Sequence, residues 1–107
     1  MVERFDVYLV NLDPELSGDP KNTRPCVIVS PDEMNRHIQN AIVAPLSAVS
    51  SRPYPTRIAV NFLNNERSVV LDQIRTVDKA RLVKKIGKIE NAEQSQILKC
   101  LGDMFAE

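Results

Sequence analysis

Tryptophan is absent from the 107-residue chain, glycine occurs three times and histidine once. So few glycines leave no Gly-rich loop to cradle a phosphate. A lone histidine, His37, rules out acid–base chemistry by a histidine pair within one chain. Its setting, Asn35-Arg36-His37-Ile38-Gln39-Asn40, is polar and reads as surface. The two cysteines, Cys26 and Cys100, lie far apart and form no C-x-x-C or metal-type spacing. They read as buried thiols, with a disulfide as the other reading. A nucleophilic Cys26–His37 pair is disfavoured because Cys26 sits in an apolar run. Scattered carboxylates such as Asp32-Glu33 show no ligand spacing, so neither metal nor cofactor is expected. No apolar run approaches the roughly 20 residues that span a bilayer. The first residues, Met1-Val2-Glu3-Arg4-Phe5-Asp6, lack the apolar core of a signal peptide. The expectation is a cytoplasmic protein without a membrane part.

What is present is a core. Hydrophobic residues make up 43% of the chain, enough for collapse, and the length suits a single domain over residues 1–107. Five strands are predicted: Asp6–Leu12, Pro25–Ser30, Ala41–Leu46, Thr56–Phe62 and Ser68–Ile74. The fourth alternates, with Ile58, Val60 and Phe62 on one face. Five short strands in about seventy residues suggest a small antiparallel barrel or sandwich. Ser30-Pro31-Asp32-Glu33 carries an N-cap signal with a capping box and predicts a short helix near Pro31–Asn35. Asp78 can cap a turn at Lys79–Leu82. Asn91 can cap a C-terminal helix on which Ile97, Leu98, Leu101, Met104 and Phe105 recur at helical spacing. That stripe packs on the barrel or, as the second reading, forms a dimer interface. Two long connections, Pro14–Thr23 and Ser47–Pro55, are natural places for binding.

Total charge is zero, with 14 basic and 14 acidic side chains. Residues 1–19 hold one arginine against five acids, net −4; residues 20–88 hold twelve basic against five acidic groups, net +7; residues 89–107 hold one lysine against four acids, net −3. Local charge sets the field that a polyanion meets, and we read the basic middle as an RNA-binding surface. Lys79, Lys84, Lys85 and Lys88 read as a solvated face. The zero total leaves little repulsion between copies, so a homo-oligomer is plausible.

The arginines carry the candidate chemistry. Arg24 opens a strand through Pro25. Arg52 and Arg57 flank the second long loop, where Tyr54 offers a ring for base stacking. Arg75 closes the fifth strand beside Asp72 and Gln73. A guanidinium grips phosphate through two parallel hydrogen bonds and stabilises charge on a phosphorane-like transition state. Cleaving RNA needs a 2′-OH deprotonated, the phosphate steadied and the leaving oxygen protonated. A carboxylate, an arginine and a hydroxyl suffice, but composition alone does not select that chemistry.

Four segments do more: Arg4–Pro14 (RFDVYLVNLDP), Thr23–Pro31 (TRPCVIVSP), Val43–Ser47 (VAPLS) and Val70–Asp78 (VLDQIRTVD), the last followed by Arg81-Leu82. In this order and spacing they resemble the MazF/PemK family of toxin–antitoxin toxins, the mRNA interferases, over nearly the whole chain. The resemblance implies a mostly-β fold with helices, an SH3-like small barrel (MazF/PemK/CcdB-like) with a C-terminal α-helix. It implies a homodimer with RNA along its interface, and metal-free, sequence-specific cleavage of single-stranded mRNA to a 2′,3′-cyclic phosphate and a 5′-hydroxyl. The implied partner is a cognate antitoxin whose disordered tail blocks the RNA groove. The alternative is a non-catalytic toxin or binding module on the same barrel, either gyrase-poison-like or degenerate.

Carried over by position, Arg24 matches the arginine of the family's R-P motif, Ser47 a threonine or serine near the scissile phosphate, and Asp72 an aspartate proposed as general base in one branch. That branch has an arginine where this chain has Val70. Arg24 and Ser47 are therefore taken as the centre, supported by Asp72 and Gln73, with Asp19, Arg52, Tyr54, Arg57 and Arg75 binding RNA. Two departures stand out. Phe5 replaces a frequent glycine, and Ser17-Gly18-Asp19-Pro20 replaces a frequent G-S-E-Q, so that Asp19 stands for its glutamate.

Overall fold

Three strands here are apolar on both faces, and the fold shows why. The computed structural model describes residues 1–12, 22–49 and 54–106. Strands β1 (Asp6–Asn11), β2 (Thr23–Ile28) and β3 (Asn40–Ala48) run antiparallel side by side. One face of this layer holds Phe5, Val7, Val27, Val29, Ala44 and Leu46. The other holds Val10, Cys26, Ile28, Ala41 and Val43. A strand buried on both sides reads as a continuous apolar run.

Strand β3 is shared between two sheets. Its first half pairs with β6 (Arg75–Asp78), its middle with β2, and its last residues with β5 (Asn65–Val70). The β5 strand forms a hairpin with β4 (Arg57–Phe62), and β7 (Leu82–Lys88) closes the far edge on β1. The sheet order is β4-β5-β3-β2-β1-β7, with β6 beside β3. Helix α2 (Asn91–Met104) lies over the larger core through Ile97, Cys100, Leu101 and Met104. The expected small, mostly-β barrel with a C-terminal helix is the fold observed. A short helix α1 (Asp32–His37) precedes β3.

Several local expectations change. The predicted strand Ser68–Ile74 ends at Val70, because Val69, Val70 and Leu71 are all buried and a continuing strand alternates its faces. A 3₁₀ turn, Leu71–Gln73, drops Leu71 into the core instead, with its N–H donating to the Thr56 carbonyl at 3.0 Å. Of the lysines read as a solvated face, Lys84, Lys85 and Lys88 are exposed but belong to strand β7, and Lys79 lies in the turn before it. Lys85 pairs with the fully buried carboxylate of Asp6 at 3.1 Å, Lys88 with Glu3 at 3.0 Å, and the Lys79 ammonium donates to the Asn35 carbonyl. Ser30 does not cap α1. Its hydroxyl donates to Asn35 Oδ1 at 2.6 Å and accepts from the Ile42 N–H at 3.0 Å, leaving Pro31 at the cap position. Asp78 does cap its turn, accepting from the Ala80 N–H. On α2, Glu90 rather than Asn91 stands at the cap, Leu98 and Phe105 face outward at 40% and 73% exposure, and Cys100 completes the inward stripe.

Phe5 explains its own departure from glycine. Its φ is 74°, in the left-handed region that costs an L-residue roughly 1–2 kcal/mol. The conformation is fixed by its N–H donating to the Ile28 carbonyl and its carbonyl accepting from the Ile89 N–H. The ring, 6% exposed, offsets that cost through burial. Phe5→Gly is therefore expected to destabilise by about 2–3 kcal/mol, and Phe5→Ala by more, since alanine loses the ring and keeps the strain. Urea unfolding of both variants tests the order.

Candidate active site

The candidate site lies where β2 and β3 part company. Their last ladder pair at this end is Cys26↔Pro45. Continued, the register would set Arg24 opposite Ser47, but β3 has already turned to β5, pairing Leu46↔Val69 and Ser47↔Ser68. Arg24 instead keeps its pairing with Val10 of β1. The divergence opens a cavity of about 540 Å³. Leu12, Pro45, Leu46 and Val70 give it an apolar floor; Arg24, Ser47, Arg57, Gln73 and Arg75 supply its polar groups.

Five of the sequence-proposed residues thus meet around one cavity, although they come from β2, β3, β4, β6 and the 3₁₀ turn. No acidic residue lines it among the described residues. Asp72 is not on this wall. It pairs with Arg57, not with the neighbouring Arg75: Arg57 Nε lies 3.4 Å from Asp72 Oδ1, and the Thr56 hydroxyl donates to the same oxygen at 2.9 Å. The Arg57 guanidinium, helped by Thr56, holds the Asp72 carboxyl below the usual carboxylate range. Tyr54 lies beside this pair, its ring centroid 4.6 Å from the Arg57 guanidinium carbon. Asp19 and Arg52 fall outside the described residues. Thr56 had no sequence signal, since its role rests on a partner sixteen positions away.

Both cysteines are free thiols, so the disulfide reading does not hold. Burial between strands pushes the Cys26 thiol up to about 12, against weaker opposing effects of Arg75 and Arg24. At neutral pH it carries almost no thiolate and cannot serve as a nucleophile. His37 stands exposed on α1 with Nδ1 2.7 Å from the Glu33 carbonyl oxygen. Native protein is expected to leave Cys26 unmodified by iodoacetamide at pH 8, with labelling only on unfolding; mass spectrometry of the tryptic peptides reads this directly. No three His, Cys, Asp or Glu among the described residues are grouped to hold a metal ion, and none of these residues forms a helix long and apolar enough to cross a membrane.

The family model for PemK-like, MazF-like toxins of type II toxin–antitoxin systems matches residues 3–105. The chain belongs to this PemK/MazF toxin family. Among curated proteins it is 29% identical to Endoribonuclease EndoA of Bacillus subtilis (strain 168) over 102 residues, 91% of this chain and 88% of that protein. Among solved structures it is similar to an endoribonuclease from a mycobacterial species, with 25% identity and a TM-score of 0.78 over 95% of this chain and 88% of that one. A mycobacterial endoribonuclease solved in complex with its cognate antitoxin gives 25% identity and a TM-score of 0.79, over 96% and 93% of the two chains. The PemK/MazF toxin described here therefore shares both fold and family with proteins named as endoribonucleases.

Proposed function

We propose that this PemK/MazF toxin is a sequence-specific endoribonuclease that cuts single-stranded mRNA without a metal ion. The observation that carries the reading is the cavity itself, where three guanidinium groups, a hydroxyl and a carboxamide converge and no described carboxylate is among the lining residues. Such a wall attracts a phosphodiester.

The reaction that suits it is internal transfer. The 2′-oxygen of one nucleotide bonds to the adjacent phosphorus while the bond to the 5′-oxygen breaks. One proton leaves the 2′-oxygen and one is returned to the 5′-oxygen, giving a 2′,3′-cyclic phosphate and a 5′-hydroxyl. Negative charge gathers on the non-bridging oxygens in the transition state, where fixed donors stabilise it most. Arg24 and Ser47 form the centre: a planar fork for two oxygens and a hydroxyl that can donate beside it. Arg57 and Arg75 suit flanking phosphates, Gln73 a base edge and Tyr54 base stacking. Asp19 and Arg52 belong to the same RNA-binding reading.

The relatives' names support the activity, and the mycobacterial complex supports neutralisation by a cognate antitoxin. A homodimer, a single domain and a cytoplasmic setting complete the reading. The zero net charge leaves little repulsion against self-association. Purified protein incubated with single-stranded RNA in EDTA is expected to cut at a few defined positions, with end mapping showing cyclic phosphate and 5′-hydroxyl termini. RNA left intact, with growth arrest accompanied by DNA damage, would instead establish the gyrase-poison alternative.

A further inference from the structure

The arrangement around Arg57 is more constrained than a surface arginine requires. Residues Tyr54 to Arg57 form a tight turn, with the Arg57 N–H donating to the Tyr54 carbonyl at 3.1 Å. That turn brings the Tyr54 ring against the guanidinium, 4.6 Å away. On its other flank the Leu71 N–H ties the 3₁₀ turn to the Thr56 carbonyl, which sets Asp72 beside Arg57 Nε. Thr56 Oγ1 completes the set by donating to Asp72 Oδ1. Ring, carboxylate and hydroxyl therefore hold one side chain of a residue that lines the cavity. The ion pair engages Nε, and no bond from either terminal nitrogen occurs among the described residues, which leaves both for a phosphate.

We infer that Asp72 is a positioning residue acting through Arg57, with Thr56 and Tyr54 completing the clamp, rather than a base that touches RNA. The inference rests on the RNA-cleaving reading of the same cavity. Three observations support it. Asp72 does not line the cavity, whereas Arg57 does. One Asp72 oxygen, Oδ1, already accepts from both Arg57 and Thr56. A carboxylate held below its usual range by an arginine is also a weakened base. The clamp limits the loss of side-chain freedom when phosphate binds, because a long side chain is ordered beforehand.

The two roles separate in a double-mutant cycle on a short RNA that the wild type cuts, read as single-turnover rates. Removing Arg57 (R57A) is expected to slow cleavage by about 10²-fold, the scale for one lost donor to a transition-state anion. D72N should cost about 10-fold alone and nothing further in the R57A background, because its effect passes through Arg57. The acidic limb of the pH–rate profile should persist in D72N. T56V, which removes only the hydroxyl that shares Asp72 Oδ1 with Arg57, should show a smaller loss that also vanishes with R57A. An additional tenfold loss on adding D72N to R57A, or disappearance of the acidic limb, overturns the inference. A readout independent of RNA accompanies the rates: the Arg57 Nε–H nuclear magnetic resonance signal should exchange slowly with solvent in the wild type and faster in D72N. Equal exchange in both overturns the clamp even in a protein that cuts RNA. A wild type that cuts no RNA but shows the protected signal overturns the ribonuclease reading and leaves the clamp standing.

Discussion

Arg24→Ala is expected to lower RNA cleavage by about 10³-fold while leaving the protein folded. Arg24 belongs to β2, but its side chain is exposed and its backbone pairing with Val10 does not depend on the guanidinium. The core residues of β2 begin at Cys26, beyond Pro25, so truncation at position 24 opens no cavity in the packing. What is lost is a planar, permanently charged fork on the wall of the cavity that Ser47 also lines. Arg24→Lys keeps the charge as a point and loses the fork, so it should restore RNA binding better than it restores rate. The salt dependence of RNA binding should weaken by about one counterion in the alanine variant. Single-turnover cleavage, salt-titrated binding and thermal unfolding on the same preparations separate these effects. Cutting at the wild-type rate in folded Arg24→Ala would remove Arg24 from the centre of the site.

The parts of this fold legible in the sequence are those where local pattern and global packing agree. Val7, Val10, Val27, Ile28, Val43 and Ala44 are buried on two faces of one layer, and their runs of β-branched and apolar residues announce that. Strand β7 was hidden because its lysines look solvated, whereas Lys85 answers the buried charge of Asp6 across the β1–β7 ladder. A burial-compensating ion pair between positions 79 apart has no local signature. The same holds at the site. Arg24, Ser47, Gln73 and Arg75 could be named from motif position, but a motif does not say that Asp72 turns away from Arg75 toward Arg57. That outcome depends on where β5 stops, and β5 stops because three successive apolar residues must all reach the core. The basic middle also narrows: Lys79, Lys85 and Lys88 bond within the protein, while three arginines face the cavity.

Leu71→Ala should lower stability by about 2–5 kcal/mol and should damage the site as well. Leu71 is fully buried in the larger core that also includes Val60, Val69 and Ile97, and partly buried Ile74 packs against that core. Alanine removes the apolar area and leaves a void that surrounding β-branched residues, stiff at χ1, fill poorly. The side chain is also the anchor of the 3₁₀ turn that places Asp72 against Arg57 and Gln73 on the cavity wall. Loss of that anchor should let the turn shift. Cleavage should therefore fall even at temperatures where the variant is fully folded, while Leu71→Met, which nearly conserves volume, should cost under about 1.5 kcal/mol and keep activity. Urea midpoints at constant slope give the stability term, and rates measured well below the midpoint give the positional one. A variant destabilised by several kcal/mol yet fully active in its folded state would show that the turn holds its geometry through its backbone bond to Thr56 alone. A loss in both would show that the core fixes the position of Asp72, and through it the reach of Arg57.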